Sequence, residues 1–212
     1  MERNMYKIHS RYDKDITLKV IPGHFATTQS HITHHLDIAT MTSRYAEAER
    51  IAHALAQKYE VSTPVDTIVC LDGLEVVGTL LAGLLTKAGI LSMNAHKTMY
   101  VISPEYKNGL LVFRDNIQHM IQGKNVIVLI GTITTGTTLG SCIQCIRYYD
   151  GILQGVSAIF SGISKVGSIS VNALFTGKDL PGYESHKPNE CPYCQQGQKI
   201  DAMVNCYGYS KL

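Results

Sequence analysis

The residue types best suited to chemistry lie in Gly131-Thr132-Ile133-Thr134-Thr135-Gly136-Thr137-Thr138-Leu139, directly after the apolar run Val126–Ile130. A strand, a small-residue loop and a helix start, in that order, leave backbone N–H groups unpaired at the helix N-terminus, where an anion is favoured. The threonine hydroxyls between Thr134 and Thr138 add donors, Thr132 stands at the entry to the loop, and Gly136 lets the backbone approach a phosphate. An ordinary strand-to-helix turn capped by threonine fits the same residues.

A second constellation is Cys191-Pro192-Tyr193-Cys194 in a polar tail. With His186 and Cys206 the spacing is His-x4-Cys-x2-Cys-x11-Cys, enough ligands for tetrahedral zinc. A metal staple would order such a tail; free thiols in a loop are the other reading. Cys142 and Cys145 share the x-x spacing, but they face one way on a predicted helix and read as small apolar packing. Four of the nine histidines, His24, His31, His34 and His35, cluster without a His-Glu-x-x-His pattern and read as hood or loop residues, one of them a candidate to contact a base, rather than as a metal site.

Positioning these groups requires an ordered core. Ala48, Ile51, Ala52, Leu55 and Tyr59 recur on one helical face within 43–59. Asp66–Leu71 reads as a buried strand, Asp72-Gly73 as a turn, and 75–88 as a helix. Residues 98–102 suggest a strand, 104–109 a polar loop, 126–130 a strand buried on both faces, 138–149 a helix and 155–160 another strand. Asp201–Asn205 is open between strand and helix, and 1–40 looks irregular. Alternation of this kind predicts an α/β fold with a parallel central sheet flanked by helices. Ligands then sit at the carboxyl ends of the strands, which puts Asp72-Gly73 and 131–138 on one edge. The expected organisation is an N-terminal hood over 1–40, a core over 41–165, and a C-terminal hood or tail over 166–212.

Composition narrows the function. The net charge is +2 and no dense Lys/Arg block occurs, which argues against nucleic acid as a partner. The start is polar, and Lys87 interrupts the most apolar stretch, 74–91, leaving it short of the roughly 20 apolar residues a bilayer needs. Six cysteines without an export signal suit thiols or metal ligands. The expectation is a cytoplasmic protein with no membrane role.

Ile133-Thr134-Thr135-Gly136-Thr137-Thr138-Leu139 resembles the second half of the phosphoribosyl pyrophosphate (PRPP) motif of type I phosphoribosyltransferases, and 25–37 resembles the N-terminal segment of the orotate phosphoribosyltransferases. The similarity spans about 20–165. It implies a 5′-phosphate of PRPP or of a nucleotide gripped by Thr134–Thr138, magnesium accompanying PRPP, a pyrophosphate-side loop at 65–78, a mobile catalytic loop at 103–114, and a homodimer. It also exposes a departure. The family motif opens with two adjacent acids that hold the ribose hydroxyls, and here those positions are Ile130 and Gly131. Loss of one preorganised group at a developing cation costs about 100-fold or more in rate. Asp72 or Glu75 would be the substitutes, although an Asp-Gly turn and a helix-start acid explain them equally. Lys107 and Arg114 are candidates to meet pyrophosphate, or are solvated surface charges.

Two functions follow from the resemblance. One is an orotate phosphoribosyltransferase-like enzyme joining a base to PRPP; the other is a non-catalytic protein that senses PRPP or a nucleoside monophosphate on the same fold. A partner-docking module built on the cysteine tail is a third.

Overall fold

The computed structural model describes residues 2–89, 91–95, 97–107 and 109–212, so Asn108 of the expected loop lies outside it. The strands are β1 (Tyr6–His9), β2 (Thr17–Ala26), β3 (His31–Leu36), β4 (Thr67–Cys70), β5 (Tyr100–Ile102), β6 (Glu105–Lys107), β7 (Leu110–Val112), β8 (Asn125–Ile133), β9 (Ile152–Ser161), β10 (Lys165–Val166), β11 (Ile169–Thr176), β12 (Ser185–His186), β13 (Ala202–Asn205) and β14 (Gly208–Lys211). The helices are α1 (Ile38–Ser43), α2 (Tyr45–Ala56), α3 (Glu75–Thr86), α4 (Thr137–Tyr148) and α5 (Pro192–Gln195).

The core is a six-stranded sheet in the order β10-β11-β9-β8-β4-β5, parallel throughout except for the short edge strand β10. The apolar runs explain its layering. Because side chains alternate across a strand, Ile68, Cys70, Ile127 and Leu129 pack with α2 and α3, while Val69, Val126, Val128 and Ile130 pack with α4. The expected face of α2 is the buried one, with Ala48, Ile51, Ala52 and Leu55 sealed off and Tyr59 beyond its end. Cys142 and Cys145 are buried in the α4 layer, where burial pushes both thiols up, to about 12 and about 11.

Residues 1–40, expected to be irregular, instead build most of a second sheet. Its order is β12-β3-β2-β13-β14, with β1 on the flank of β2. Leu18, Val20 and Leu36 anchor it to the α2 side of the core. Pro22 sits inside β2, where it can donate no ladder hydrogen bond, and the β2–β3 register shifts between Pro22 and Phe25. That bulge breaks the alternation that would have revealed the strand. β13 runs parallel to β2, so the 201–205 segment is a strand of this hood. The expected loop at 104–109 begins a hairpin, β6–β7.

Beneath the sheet, the Tyr59 hydroxyl meets Ser157 Oγ at 2.7 Å, and Asn172 Nδ2 donates to the same oxygen at 3.2 Å. Burial pushes the Tyr59 phenol up to about 12. Replacing Tyr59 with Phe should lower stability by about 1 kcal/mol, seen as a lower urea midpoint at unchanged slope. An unchanged midpoint would show this hydroxyl to be dispensable.

Candidate functional site

β4 and β8 pair in register, Cys70 opposite Leu129, so both chains leave the sheet at one level. Asp72 follows β4 with φ 59°, in the left-handed region that Asp tolerates better than most residues. The turn aims its carboxylate across at β8, where Oδ2 accepts the N–H of Gly131 at 3.0 Å and of Thr132 at 3.3 Å. Burial raises the Asp72 pKa, and the two N–H donors offset only part of that rise.

The same contact explains the missing acids. A Cβ at Gly131 would stand 3.0 Å from Asp72 Cβ and 3.2 Å from Oδ2, so a larger residue there would press on Asp72 and require it to shift by a few tenths of an ångström. Ile130 is 1% exposed, packs in the α4 layer and offers the cavity only an apolar wall. One carboxyl group, supplied from the neighbouring strand, therefore stands at the strand end where the sequence motif lacks its pair.

Gly136 is the N-cap of α4 at φ 82°, and a Cβ on it would stand 2.8 Å from Val166 Cγ2 and 3.1 Å from Ile163 Cδ1. Only glycine suits that backbone and that space. Thr135 Oγ1 and Thr137 Oγ1 lie 3.0 Å apart, and Thr132, Thr135 and Thr137 are exposed. Thr132 and the whole of Thr134–Thr138 line a cavity of about 310 Å³ together with Asp72.

The hood closes the far side of this cavity. The Thr27–Ser30 turn enters it, braced by Thr27 Oγ1, which accepts the Ser30 N–H at 2.9 Å and the Gln29 N–H at 3.2 Å. His35, Tyr183 and Asn205 line it as well. Burial lowers the His35 pKa, against an opposing pull from Asp37, and the ring lies edge-on to Tyr209. Sequence reasoning missed the turn, Tyr183 and Asn205. The available signal was Thr-Thr-Gln-Ser between two histidine-bearing segments.

Other sequence candidates are placed elsewhere. Lys107 is exposed on β6, outside the cavity lining. Arg114 is held by Glu105 in an ion pair. Glu75 Oε1 accepts the Ser103 hydroxyl at 2.5 Å. None of the described residues lining the cavity is Lys or Arg. The four residues of the proposed zinc set separate: Cys191 and Cys194 meet His24 and His31, His186 bonds Glu184 at 3.0 Å, and Cys206 lines the cavity. Burial raises the Cys206 thiol pKa, and the Asp72 charge adds to the rise.

No protein-family profile matches the chain. The orotate phosphoribosyltransferase of Desulforamulus reducens is 23% identical over 182 residues, covering 84% of this chain and 86% of that protein. That of Chlorobium phaeobacteroides is 24% identical over 185 residues, covering 86% and 88%. Among solved structures, the orotate phosphoribosyltransferase of Mycobacterium tuberculosis in complex with PRPP matches with a TM-score of 0.50 at 14% identity, over 68% of this chain and 82% of that one. No helix among the described residues is long and apolar enough to cross a membrane.

The raised Asp72 pKa has a defined sign. Its folded value lies above its unfolded value, so its favourable contribution is full at low pH and is lost as pH rises through the folded pKa. Asp72→Asn keeps an acceptor oxygen for both N–H groups and removes the titration. The variant should melt higher than the native chain at neutral pH, and the two should converge in acid. A variant that melts lower at every pH would mean that the charge itself holds the two strand ends together.

Proposed function

We propose that this chain, which is orotate phosphoribosyltransferase-like and has the type I phosphoribosyltransferase fold, binds a ribose 5-phosphate group at Thr134–Thr138, as a nucleoside 5′-monophosphate or as PRPP, and transfers phosphoribosyl weakly or not at all. The observation that carries this reading is one cavity that joins the α4 N-terminus to the Asp72 carboxyl and has no Lys or Arg among its described lining residues. The free N–H groups and threonine hydroxyls at the start of α4 take the phosphate. Asp72, at the end of the adjacent strand, accepts from the ribose hydroxyls. The base then lies toward Tyr183, His35 and Asn205 under the hood.

The same lining argues against fast chemistry. Pyrophosphate leaving from PRPP would meet Asp72 without a cationic side chain to balance it. Magnesium would supply that balance when it enters with PRPP. Asp72 offers the hard oxygen donor such an ion prefers. Asp72 alone in place of the adjacent pair gives less support to a cationic sugar in the transition state, since Asp37, the other acid on the lining, caps α1 at the Thr40 N–H. A non-catalytic nucleotide-binding role fits this imbalance better than efficient transfer does.

Calorimetric titration with a nucleoside 5′-monophosphate, and with PRPP in the presence and absence of magnesium, tests the reading. Saturable binding is expected, weakened at least about tenfold (about 1.4 kcal/mol) in the Thr134→Ala/Thr135→Ala variant. No heat with either ligand at millimolar concentration would overturn it. Rapid pyrophosphate release that Asp72→Asn abolishes would restore the enzymatic reading.

A further inference from the structure

The tail between Lys187 and Lys199 buries one residue, Cys191, so apolar packing does not explain how it is held. Cys191 is the residue before α5 and Cys194 lies within that short helix. Both thiols point at a pair of histidines on the hood hairpin, His24 of β2 and His31 of β3. His24 Nε2 lies 3.3 Å from His31 Nδ1, 3.4 Å from Cys191 Sγ and 3.7 Å from Cys194 Sγ, and His31 Nδ1 lies 3.3 Å from Cys194 Sγ.

These separations can be compared with a known geometry. Tetrahedral zinc with bonds of about 2.05 Å to nitrogen and about 2.3 Å to sulfur holds its ligands about 3.3 Å apart for N and N, and about 3.6 Å apart for N and S. The distances match within a few tenths of an ångström, and all four ligand atoms lie within 4.8 Å of one another.

The protonation pattern agrees. His24 Nδ1 faces the carbonyl oxygens of Gln198 and Lys199, each at 3.2 Å, and so must carry the proton. In the neutral ring Nε2 is then a bare lone pair, and three further heteroatoms confront it at once. Hydrogen bonds alone satisfy that crowding poorly, since one lone pair accepts one good donor. A cation at the common focus satisfies all four groups, and the backbone carbonyls orient the ring as outer partners of zinc histidines do. Two thiolates would neutralise a divalent ion, removing the cost of burying its charge.

We propose that His24, His31, Cys191 and Cys194 form a structural zinc site that clamps the tail onto the hood hairpin. The clamp sits directly before the strand that completes the cavity. Asp201 Oδ2 accepts the His24 N–H at 2.8 Å, and the Asp201 N–H donates to the His24 carbonyl at 2.8 Å. β13 begins at the next residue and carries Asn205 toward the cavity, with Cys206 just beyond it. On the other side, His31 adjoins the Thr27–Ser30 turn. Zinc thereby fixes two walls of the cavity without touching a ligand.

Metal analysis of the full chain, purified from zinc-supplemented culture without chelators, tests this independently of any nucleotide. About one zinc per chain is expected. His186→Ala and Cys206→Ser should keep it, and Cys191→Ser/Cys194→Ser should lose it. Replacement by cobalt(II) in the native chain should give thiolate charge-transfer absorption and the visible bands of a tetrahedral ion, a readout that holds even if the double variant fails to fold. Chelation should open 187–200 to limited proteolysis while 41–176 stays intact. Metal content near zero, a Cys191–Cys194 disulfide in the native chain, or full zinc retention in the double variant would each overturn the proposal.

Discussion

The in-register pairing of β4 with β8 is the constraint on which the site depends. It ends two strands of a parallel sheet at one level, so the turn after one can reach the loop after the other. Shifting either strand by one residue would turn Ile130 out of the α4 layer and move Asp72 away from the N–H groups of Gly131 and Thr132. The burial of Val69, Val128 and Ile130 under α4, and of Ile68, Cys70, Ile127 and Leu129 on the opposite face, makes such a shift costly. The position of the acid is therefore secured by core packing on both sides of the sheet.

That arrangement changes how the departure at Ile130-Gly131 reads. A side chain on that glycine would crowd Asp72. One acid on a left-handed turn stands near the strand end where the motif would place two, and it bonds backbone. Its carboxyl is desolvated and its pKa raised, a perturbation of the kind that clusters at functional sites.

The core was legible in the sequence because its strands are buried on both faces. The run 126–130 is apolar without interruption and cannot satisfy itself except between helices. The turn at Gly136 and its threonines was legible because a strand-to-helix turn is a local pattern. The hood was not, since its strands bury His31, Thr33 and His35 in place of aliphatic residues and β2 contains Pro22. The partners of Cys191 and Cys194 were illegible for another reason. His24 and His31 lie 160 or more residues away in the chain, and His186 and Cys206 had the better spacing. The role of Asp72 falls between these cases: its Asp-Gly turn is visible, but the bond it makes lies across 59 residues.

The cavity is assembled from the two ends of the described chain. The Thr27–Ser30 turn belongs to its first 40 residues and Asn205 to its last ten, while Thr134–Thr138 lies between them. Because β13 lies beside β2, a chain emerging from the ribosome can complete its parallel core sheet well before the cavity has its last wall. During synthesis the nascent core would present an open, half-built site, with the β2 edge unpaired where β13 later docks. Completion of the cavity in this architecture thus waits for residues 191–208, and anything that holds them back delays its last wall without delaying the core.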